Sequence, residues 1–200
     1  MEIAPIEVHE QFSEEIWPWS GEALLAKMTE HAYLGVEHVV LDVSSLGGEV
    51  ASAMSVYQAL RSSPFELVTR NMGEVASMGN LVFLAGERRL AIAEATFLLH
   101  PITVEAPAEW PTSARWLDVE DMRKLRTKVE RSGASPKLFN ELDWGIMRLA
   151  REEREVQRIF EERTSLTGPQ FRKLVRGHTT VSAAYACAVG IVHEVISVPG

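Results

Sequence analysis

The stretch from Val39 to Val43 constrains the architecture of the chain more than any other. It is a dense run of β-branched and aliphatic residues around Asp42, which is typical of a strand covered on both faces. Helices are predicted on either side of it, the first from Ser20, as its N-cap, to Gly35, and the second from residue 50 to residue 60. A buried strand between two helices indicates an α/β fold with a parallel sheet and right-handed crossover connections.

The remaining elements extend this alternation of strands and helices. The second helix has an apolar face of Val50, Met54, Tyr57 and Leu60. Further strands are predicted at 3–8, 65–69, 90–93 and 96–99, and a helix follows Ser77 as far as about residue 85. After a loop at 103–111, the prediction is a charged helix at 118–131, a long helix at 139–163, a short helix at 167–175, an extended segment at 177–181, a helix at 183–189 capped by Ser182, and a closing strand at 191–198. We expect a single domain over residues 1–200, because this length supports one ordinary core.

Composition and charge narrow the class of protein. With 46% hydrophobic and 24% charged residues the chain is typical of globular proteins, and a formal net charge of −8 disfavours binding to nucleic acid or to an anionic membrane. A single cysteine excludes an internal disulfide framework, and the six histidines are scattered without the spacing of metal ligands. Because neither a secretory signal nor a membrane-spanning run is found, we expect a cytoplasmic protein without a metal or other cofactor.

Three short motifs lie at the ends of predicted strands, where α/β folds place their sites. The first is Ser-Ser-Leu-Gly-Gly at 44–48, the second is Ala-Ser-Met-Gly at 76–79, and the third is Leu-His-Pro at 99–101. The second motif suits a strand that turns sharply into a helix, which would put the Ser77 hydroxyl where free backbone N–H groups favour a developing negative charge. Taken alone, this motif favours a serine that merely caps the helix.

Taken together, the motifs supply the groups that acyl transfer by serine requires. That chemistry needs a nucleophile, a base that accepts its proton, and N–H donors for the oxyanion. Ser77 and His100 are the candidate nucleophile and base, because each lies at the end of an element of the same predicted sheet. The glycine pair lets the backbone approach a substrate closely, so the N–H groups of Gly48 and Met78 are the candidate oxyanion hole.

The order and spacing of the three motifs resemble those of the Clp protease proteolytic subunit (ClpP) family, serine peptidases with a crotonase-like α/β fold. Ala-Ser-Met-Gly matches the family pattern at every position, and the glycine pair matches with Leu46 where the family usually has proline. The resemblance covers residues 39–100 well and residues 164–195 more weakly. It implies repeated β-α units around a parallel sheet and an extended helical handle, which would correspond here to the divergent loop and helices of residues 103–163.

The third catalytic residue implied by the resemblance departs from the family pattern. The family has an aspartate four residues before the Ser-Ala that opens the last helix, and this chain has His178 there. A neutral histidine can accept the N–H of His100 and fix its tautomer, although it stabilises an imidazolium less than a carboxylate does. The resulting Ser–His–His triad is similar to that of the herpesvirus assembly proteases. The alternatives are that His178 is a structural histidine and that Asp118, Asp121, Asp143 or no residue has this role.

Two further departures concern assembly and partners. The stretch between His100 and the last helix is longer than in the family and lacks its glycine-rich segment, and the family's rings stack through this handle region. The axial N-terminal hairpin that engages an ATP-driven unfoldase in the family has no counterpart before the first predicted strand. We therefore expect a homo-oligomer, such as a dimer or a smaller ring, that cleaves peptides or loosely folded proteins without an unfoldase partner.

Three other functions are compatible with parts of the sequence. A ClpP-like chain with His178 in place of the family's catalytic aspartate would suit a non-catalytic scaffold or regulator of a catalytic paralogue, although Ser77 and His100 are both retained. A crotonase-fold enzyme acting on a CoA thioester would use acidic residues for proton transfer, and Glu74 is the acidic residue near the serine motif. A Ser–Lys dyad would need a lysine in a recognisable site motif, and none of the five lysines lies in one.

Overall fold

The computed structural model describes residues 6–132 and 136–197. In chain order its elements are β1 (Glu7–Phe12), α1 (Pro18–Tyr33), β2 (His38–Val43), α2 (Val50–Arg61), β3 (Glu66–Asn71), β4 (Glu74–Ala76), α3 (Gly79–Leu84), β5 (Arg88–Ile92), β6 (Thr96–Leu99), β7 (Val104–Glu105), β8 (Trp116–Leu117), α4 (Val119–Ser132), α5 (Pro136–Arg163), α6 (Gly168–Arg176), β9 (Thr179–Ser182), α7 (Ala183–Ala188) and β10 (Glu194–Ile196). Strands and helices alternate through most of the chain, which confirms the predicted α/β class.

The core is built on a sheet of five parallel strands in the order β1-β2-β3-β5-β10. The β-branched strand β2 has β1 on one side and β3 on the other. Val39, Val40 and Leu41 are consecutive and all buried, so both faces of β2 are covered. The predicted parallel sheet is therefore confirmed, and its most apolar strand lies inside it.

The helix α2 presents a slightly different face to the core than its sequence predicted. Leu60 is buried as predicted, and the buried stripe continues through Ala53 and Val56. The other three residues of the predicted apolar face, Val50, Met54 and Tyr57, lie half-buried against the margin of the core. Small residues at the centre of the stripe let the helix approach its neighbours closely, and the larger ones fill the edges.

The start of α1 differs from the prediction. The helix begins at Pro18, so Ser20 is its third residue, and Ser20 is wrong as the N-cap. Its hydroxyl instead accepts the backbone N–H of Trp17 at 2.9 Å, from inside the first turn. Proline is favoured at the first helical position because its φ is already helical and its missing N–H would have had no partner there.

A second sheet of three strands, in the order β4-β6-β9, stands apart from the central sheet. The sequence did not predict β4, and residues 96–99, which were expected in the same sheet as residues 39–43 and 65–69, pair with β4 and β9 instead. The side chain of Asn71, at the end of β3, accounts for the change of direction. It accepts the N–H of Gly73 and donates to the carbonyl of Thr96, both at 2.9 Å, and so turns the chain out of the central sheet into β4.

Residues 103–163 contain a short ribbon and two long helices. β7 lies within the predicted loop at 103–111 and pairs in antiparallel fashion with β8. The predicted helices are confirmed as α4 and α5, although α5 begins at Pro136 rather than Phe139, and the predicted break before it lies partly outside the described residues. Met122 of α4 packs on Gly145 of α5, where an added Cβ would lie 2.4 Å from the methionine methyl. Across the described ranges 6–132 and 136–197, no helix combines the length and the hydropathy needed to cross a membrane.

The bounds of the two edge strands differ from the predicted ones. β1 begins at Glu7 and continues to Phe12, four residues beyond the predicted end at residue 8, and residues 3–5 of the predicted first strand lie outside the described residues. β10 spans only Glu194–Ile196 of the predicted 191–198, and residue 198 lies outside the described residues. Both strands nevertheless pair in parallel at the two edges of the central sheet, as the fold class requires.

Two arginines hold the far end of α3, the helix that follows Ser77. The guanidinium of Arg89 is almost completely buried and donates to the carbonyls of Gly86, Arg163, Gly190 and Ile191 at 2.7–3.1 Å. That of Arg163 donates to the carbonyls of Leu84 and Gly86. Burial, together with the nearby charge of Arg163, lowers the pKa of Arg89 to about 10, so the guanidinium stays charged at neutral pH. These bonds satisfy carbonyl groups that the end of a helix leaves without partners.

Candidate active site

The three-stranded sheet brings the predicted site residues to one edge. Ala76 of β4 pairs with Leu98 of β6, and Leu99 pairs in turn with Thr179 of β9. Ser77 follows β4, His100 follows β6, and His178 immediately precedes the antiparallel strand β9. Because the carboxyl ends of two parallel strands and the amino end of an antiparallel strand meet at the same edge, the three residues are neighbours although 101 positions separate Ser77 from His178.

The backbone at Ser77 has the sharp turn that the sequence predicted. Its φ is +52°, a left-handed conformation that costs a serine on the order of 1–3 kcal/mol unless its surroundings hold it. Two bonds do so: its N–H donates to the Leu98 carbonyl, and its carbonyl accepts from the side chain of Asn80, both at 2.9 Å. The N-cap of α3 is Met78, so the alternative interpretation of Ser77 as a helix cap is wrong.

Asn80 is a supporting residue that the sequence analysis missed. It is almost completely buried, and its amide donates to two carbonyls, those of Ser77 and Leu98. It therefore joins the strained turn to the strand that ends at His100. A polar residue in the otherwise apolar helix Gly79–Leu84 was the available signal, because burying an amide is costly and most buried amides therefore form hydrogen bonds.

The segment of residues 45–48, which contains the candidate donor Gly48, lies beside the turn of Ser77 and Met78. The carbonyl of Ser45 accepts the N–H of Ala76 at 2.8 Å, which draws residues 45–48 alongside the turn. Gly47 has a φ of +100°, and an added Cβ there would lie 2.5 Å from the Cβ of Ser77. Within residues 6–132 and 136–197, neither the N–H of Gly48 nor that of Met78 donates to another group. Two free amides beside a serine are what an oxyanion hole needs.

His100 is half-buried, and a single hydrogen bond fixes its ring. Its Nδ1 lies 2.7 Å from the carbonyl oxygen of Pro101, so Nδ1 carries the proton and Nε2 is left as an acceptor. That tautomer is the one a general base requires. In the described part of the chain no hydrogen bond joins Ser77 Oγ to the imidazole, so the serine proton is not yet shared between them.

His178 lies beside His100 without bonding to it. The two rings are nearly parallel, with 9° between their planes and 6.1 Å between their centroids. His178 is exposed, has a φ of +46°, and donates its backbone N–H to the Val175 carbonyl at 3.0 Å. In this conformation the Pro101 carbonyl, rather than His178, accepts the hydrogen bond from Nδ1 of His100.

The three alternative aspartates are engaged elsewhere. Asp143 pairs with Arg126, and Asp121 pairs with Lys124 at 3.3 Å. The Oδ1 atom of Asp118 accepts the N–H of Asp121 at 2.8 Å, at the start of α4. Among the described residues none of the three bonds to His100, and only Asp118 lines the cavity that His100 lines.

A cavity of about 400 Å³ opens beside these groups, and Met78 and His100 are part of its wall. The rest of the wall comes from the start of α4, the middle of α5 and α6. Its floor is apolar and buried, with Ile102, Val156 and Phe171 each less than 9% exposed. Across the described residues no cluster of histidine, cysteine and carboxylate side chains has the arrangement of a metal site.

Comparison with known proteins relates the chain to a family of proteases. The family model described as Clp protease matches residues 24–137, which is more than half of the chain. A relative from Zea mays, described as an ATP-dependent Clp protease proteolytic subunit, is 28% identical over 123 residues, or 56% of each chain. One of the same description from Liriodendron tulipifera is 32% identical over 105 residues, or 50% of this chain and 52% of the relative. The chain thus spans about half the length of the curated relatives it matches.

The similarity of fold extends over nearly the whole chain. A ClpP1 mutant from Listeria monocytogenes superimposes with a TM-score of 0.72 and 17% identity, covering 95% of this chain and 91% of that one. The family match contains Gly48, Ser77, Met78 and His100, but it ends before His178. The family match therefore ends before the residues of α5 and α6 that line the cavity, whereas the structural match covers 95% of the chain.

Proposed function

The chain belongs to the Clp protease family, and from that premise we propose that it is a serine peptidase that forms its acyl-enzyme on Ser77. The observation that carries the proposal is the register of the three-stranded sheet, in which Ala76 pairs with Leu98. This pairing supports a shared position for Ser77 and His100, each of which is the first residue after its strand. The strained turn at Ser77 supports it further, because left-handed non-glycine residues cluster at functional sites.

In the proposed mechanism Nε2 of His100 takes the proton of Ser77 Oγ as the oxygen attacks the carbonyl carbon of a peptide bond. The N–H groups of Gly48 and Met78 donate to the oxyanion, and each such donor is typically worth about 3–4 kcal/mol. The imidazolium then protonates the leaving amine, and a water molecule, deprotonated by the same ring, hydrolyses the acyl-enzyme. The bond from Nδ1 to the Pro101 carbonyl supports this role, because it keeps Nε2 free.

His178 is proposed as the third member of the triad. The distance of 6.1 Å between its ring centroid and that of His100 supports this role, in which His178 would accept a hydrogen bond from Nδ1 once the His100 ring turns towards Ser77. In the resting conformation the Pro101 carbonyl accepts the hydrogen bond that Nδ1 donates. A shift of the imidazole from one acceptor to the other would bring Nε2 towards the serine, in line with the tightening of catalytic hydrogen bonds on substrate binding.

The proposed substrates are peptides and loosely folded proteins, cleaved without an ATP-driven unfoldase by a homo-oligomer. The half-buried hydroxyl of Ser77 and the exposed mouth of the cavity support direct entry of a short peptide. The relatives are described as proteolytic subunits, which supports assembly into an oligomer. The cytoplasmic location and the single-domain organisation stay predictions.

A fluorophosphonate probe tests the proposal on the purified chain. We expect covalent labelling at Ser77, no labelling of Ser77→Ala, and normal labelling of Ser13→Ala, an exposed serine far along the chain from the site. Cleavage of a fluorogenic peptide without ATP should fall by at least about 10⁴-fold in Ser77→Ala. A folded wild-type chain that the probe leaves unlabelled would contradict the proposal.

The second candidate is a non-catalytic scaffold or regulatory subunit of a protease. The observation that favours it is that, in the described residues, Ser77 Oγ and His100 share no hydrogen bond. This alternative predicts no labelling of the chain alone and stable co-purification with a catalytic paralogue. Labelling of the isolated chain would exclude it.

A further inference from the structure

The cavity beside the candidate active site has a charged mouth over an apolar floor. Four arginines line it, and they come from three helices: Arg123 from α4, Arg154 from α5, and Arg172 and Arg176 from α6. All four side chains are exposed, whereas the apolar floor residues beneath them are buried. A ligand side chain would therefore meet hydrocarbon along its length and guanidinium groups near its end.

Two of these arginines have no acidic partner. Arg123 pairs with Glu120 at 2.8 Å, and Arg172 donates to the side-chain carbonyl of Gln157 at 2.9 Å. In the part of the chain that the structure describes, Arg154 and Arg176 form no ion pair and no side-chain hydrogen bond. Their guanidinium groups are thus available to a carboxylate, for which the planar donor geometry of arginine is well suited.

Three carboxyl groups also line the cavity, and none of them neutralises these two arginines by direct contact. Glu120 is held by Arg123, and Asp118 accepts the N–H of Asp121 at the start of α4. Glu153 is half-buried and makes no ion pair within the described residues. Burial raises its pKa, and the nearby charge of Asp118 adds to this, while Arg123 and Arg176 oppose it. Because four arginines and three carboxyl groups line the cavity, it retains an excess of positive charge even when Glu153 is ionised.

We propose that this cavity binds the substrate side chain on the N-terminal side of the cleaved bond and selects an acidic one, with Arg154 and Arg176 as its partners. The inference rests on the proposed peptidase function. The carbonyl that Ser77 attacks belongs to that residue, and Met78, whose N–H would hold the carbonyl oxygen, is part of the cavity wall. A glutamate fits the arrangement, because its methylene groups contact the apolar floor and its carboxylate reaches the arginines.

Four fluorogenic peptides that differ only at this position, with Glu, Gln, Leu or Lys, test the inference. For the wild-type chain at low salt we expect kcat/KM to be about 10-fold higher for Glu than for its neutral isostere Gln, the size of one charge-assisted hydrogen bond. The ratio should fall as NaCl is added, since salt screens exposed charges. A ratio near one at low salt, or a preference for Leu over Glu, would overturn the inference.

Variants of Arg154 and Arg176 test whether these two residues cause the preference for the Glu peptide. In the double variant Arg154→Gln, Arg176→Gln the Glu-to-Gln ratio should fall to about one, and in Arg154→Glu, Arg176→Glu the Lys peptide should become the better substrate. Arg158→Gln is the matched control, because Arg158 lies on α5 outside the cavity and pairs with Glu162, and it should keep the wild-type ratio. Circular dichroism establishes that each variant is folded, and the single variant Arg176→Gln replaces any that is not.

The fluorophosphonate probe separates this inference from the proposed function. Failure of the probe to label Ser77 in the folded chain overturns both. Normal labelling with no preference for the Glu peptide, or with a preference that both double variants retain, overturns only the acidic selectivity.

Discussion

The two walls of the candidate active site are built in different ways. On one side Ser77, Met78 and Gly48 are positioned by backbone geometry, through strand pairing, positive φ angles and the bonds of the buried Asn80. On the other side exposed side chains of α4, α5 and α6 line the cavity, with few bonds to hold them. Much of this second wall lies beyond residue 137, where the family match ends. Under the proposed function, the chemistry would depend on a rigid backbone, and selectivity would depend on side chains that can change without disturbing it.

The largest effect should come from the backbone wall. In Gly47→Ala the new Cβ would lie 2.5 Å from the Cβ of Ser77, at a φ of +100° that alanine rarely adopts. We expect kcat/KM to fall by about 10²-fold, because a displacement of the nucleophile of about 1 Å has that effect. The measurement is the rate of peptide cleavage and of probe labelling. Gly73→Ala is the control, since an added Cβ at Gly73 has no neighbour within 4 Å. Equal loss in both variants would show that Gly47 has no special relation to the serine.

A smaller effect is expected at His178, which joins the backbone wall through β9. His178→Ala should lower kcat by about 10-fold with little change in KM, because the His100 tautomer would depend on the Pro101 carbonyl alone. His178→Asp should restore or exceed the wild-type kcat, since a carboxylate stabilises the imidazolium more strongly. The exposed His9, which pairs with Glu7 on β1, provides the control variant His9→Ala. If His178→Ala keeps the wild-type kcat, the Pro101 carbonyl suffices and the proposed triad is reduced to a dyad.

The smallest effect belongs to the side-chain wall and concerns stability. Burial raises the pKa of Glu153 above its ordinary value of 4.5, so the folded state binds a proton more tightly there than the unfolded chain does. The free energy of unfolding therefore falls as the pH rises above 4.5, and the loss is complete once the folded carboxyl has ionised. Glu153→Gln should raise the melting temperature at pH 7.5 by about 2 °C and by less at pH 5. Glu162→Gln, which removes an exposed ion pair with Arg158, should change the melting temperature little at either pH. A drop in the melting temperature of Glu153→Gln at pH 7.5 would show that the ionised carboxyl stabilises the fold.

How far the sequence could predict the molecule varies along the chain. The strand from Val39 to Val43 and the long helix of residues 139–163 were predictable, because each has many residues that repeat one periodicity. The start of α1 was not, since Ser20 and Pro18 both favour a helix start and only the packing of the first turn decides between them. The three residues of β4 are too few to show any periodicity, so the second sheet was missed.

The candidate site was predictable to the extent that its residues belong to local motifs. Ser77, Met78, Gly48 and His100 lie in short segments whose residue types indicate their chemistry. Asn80 and the arginines of the cavity lie in no such motif. Their roles depend on which helix faces meet, and charged residues on a helix are usually just its solvated face.

The sequence by itself determined the α/β class, the order of the motifs and the sharp turn at Ser77, because each follows from residues close together along the chain. Only the tertiary structure decided that His178 lies beside His100 and that arginines of three helices line one cavity with His100. These contacts join residues far apart in sequence, through the pairing of β6 with β9 and the packing of α4 and α6 on α5. Their free energy comes from burial and strand pairing that form when the whole chain folds, which no local pattern encodes.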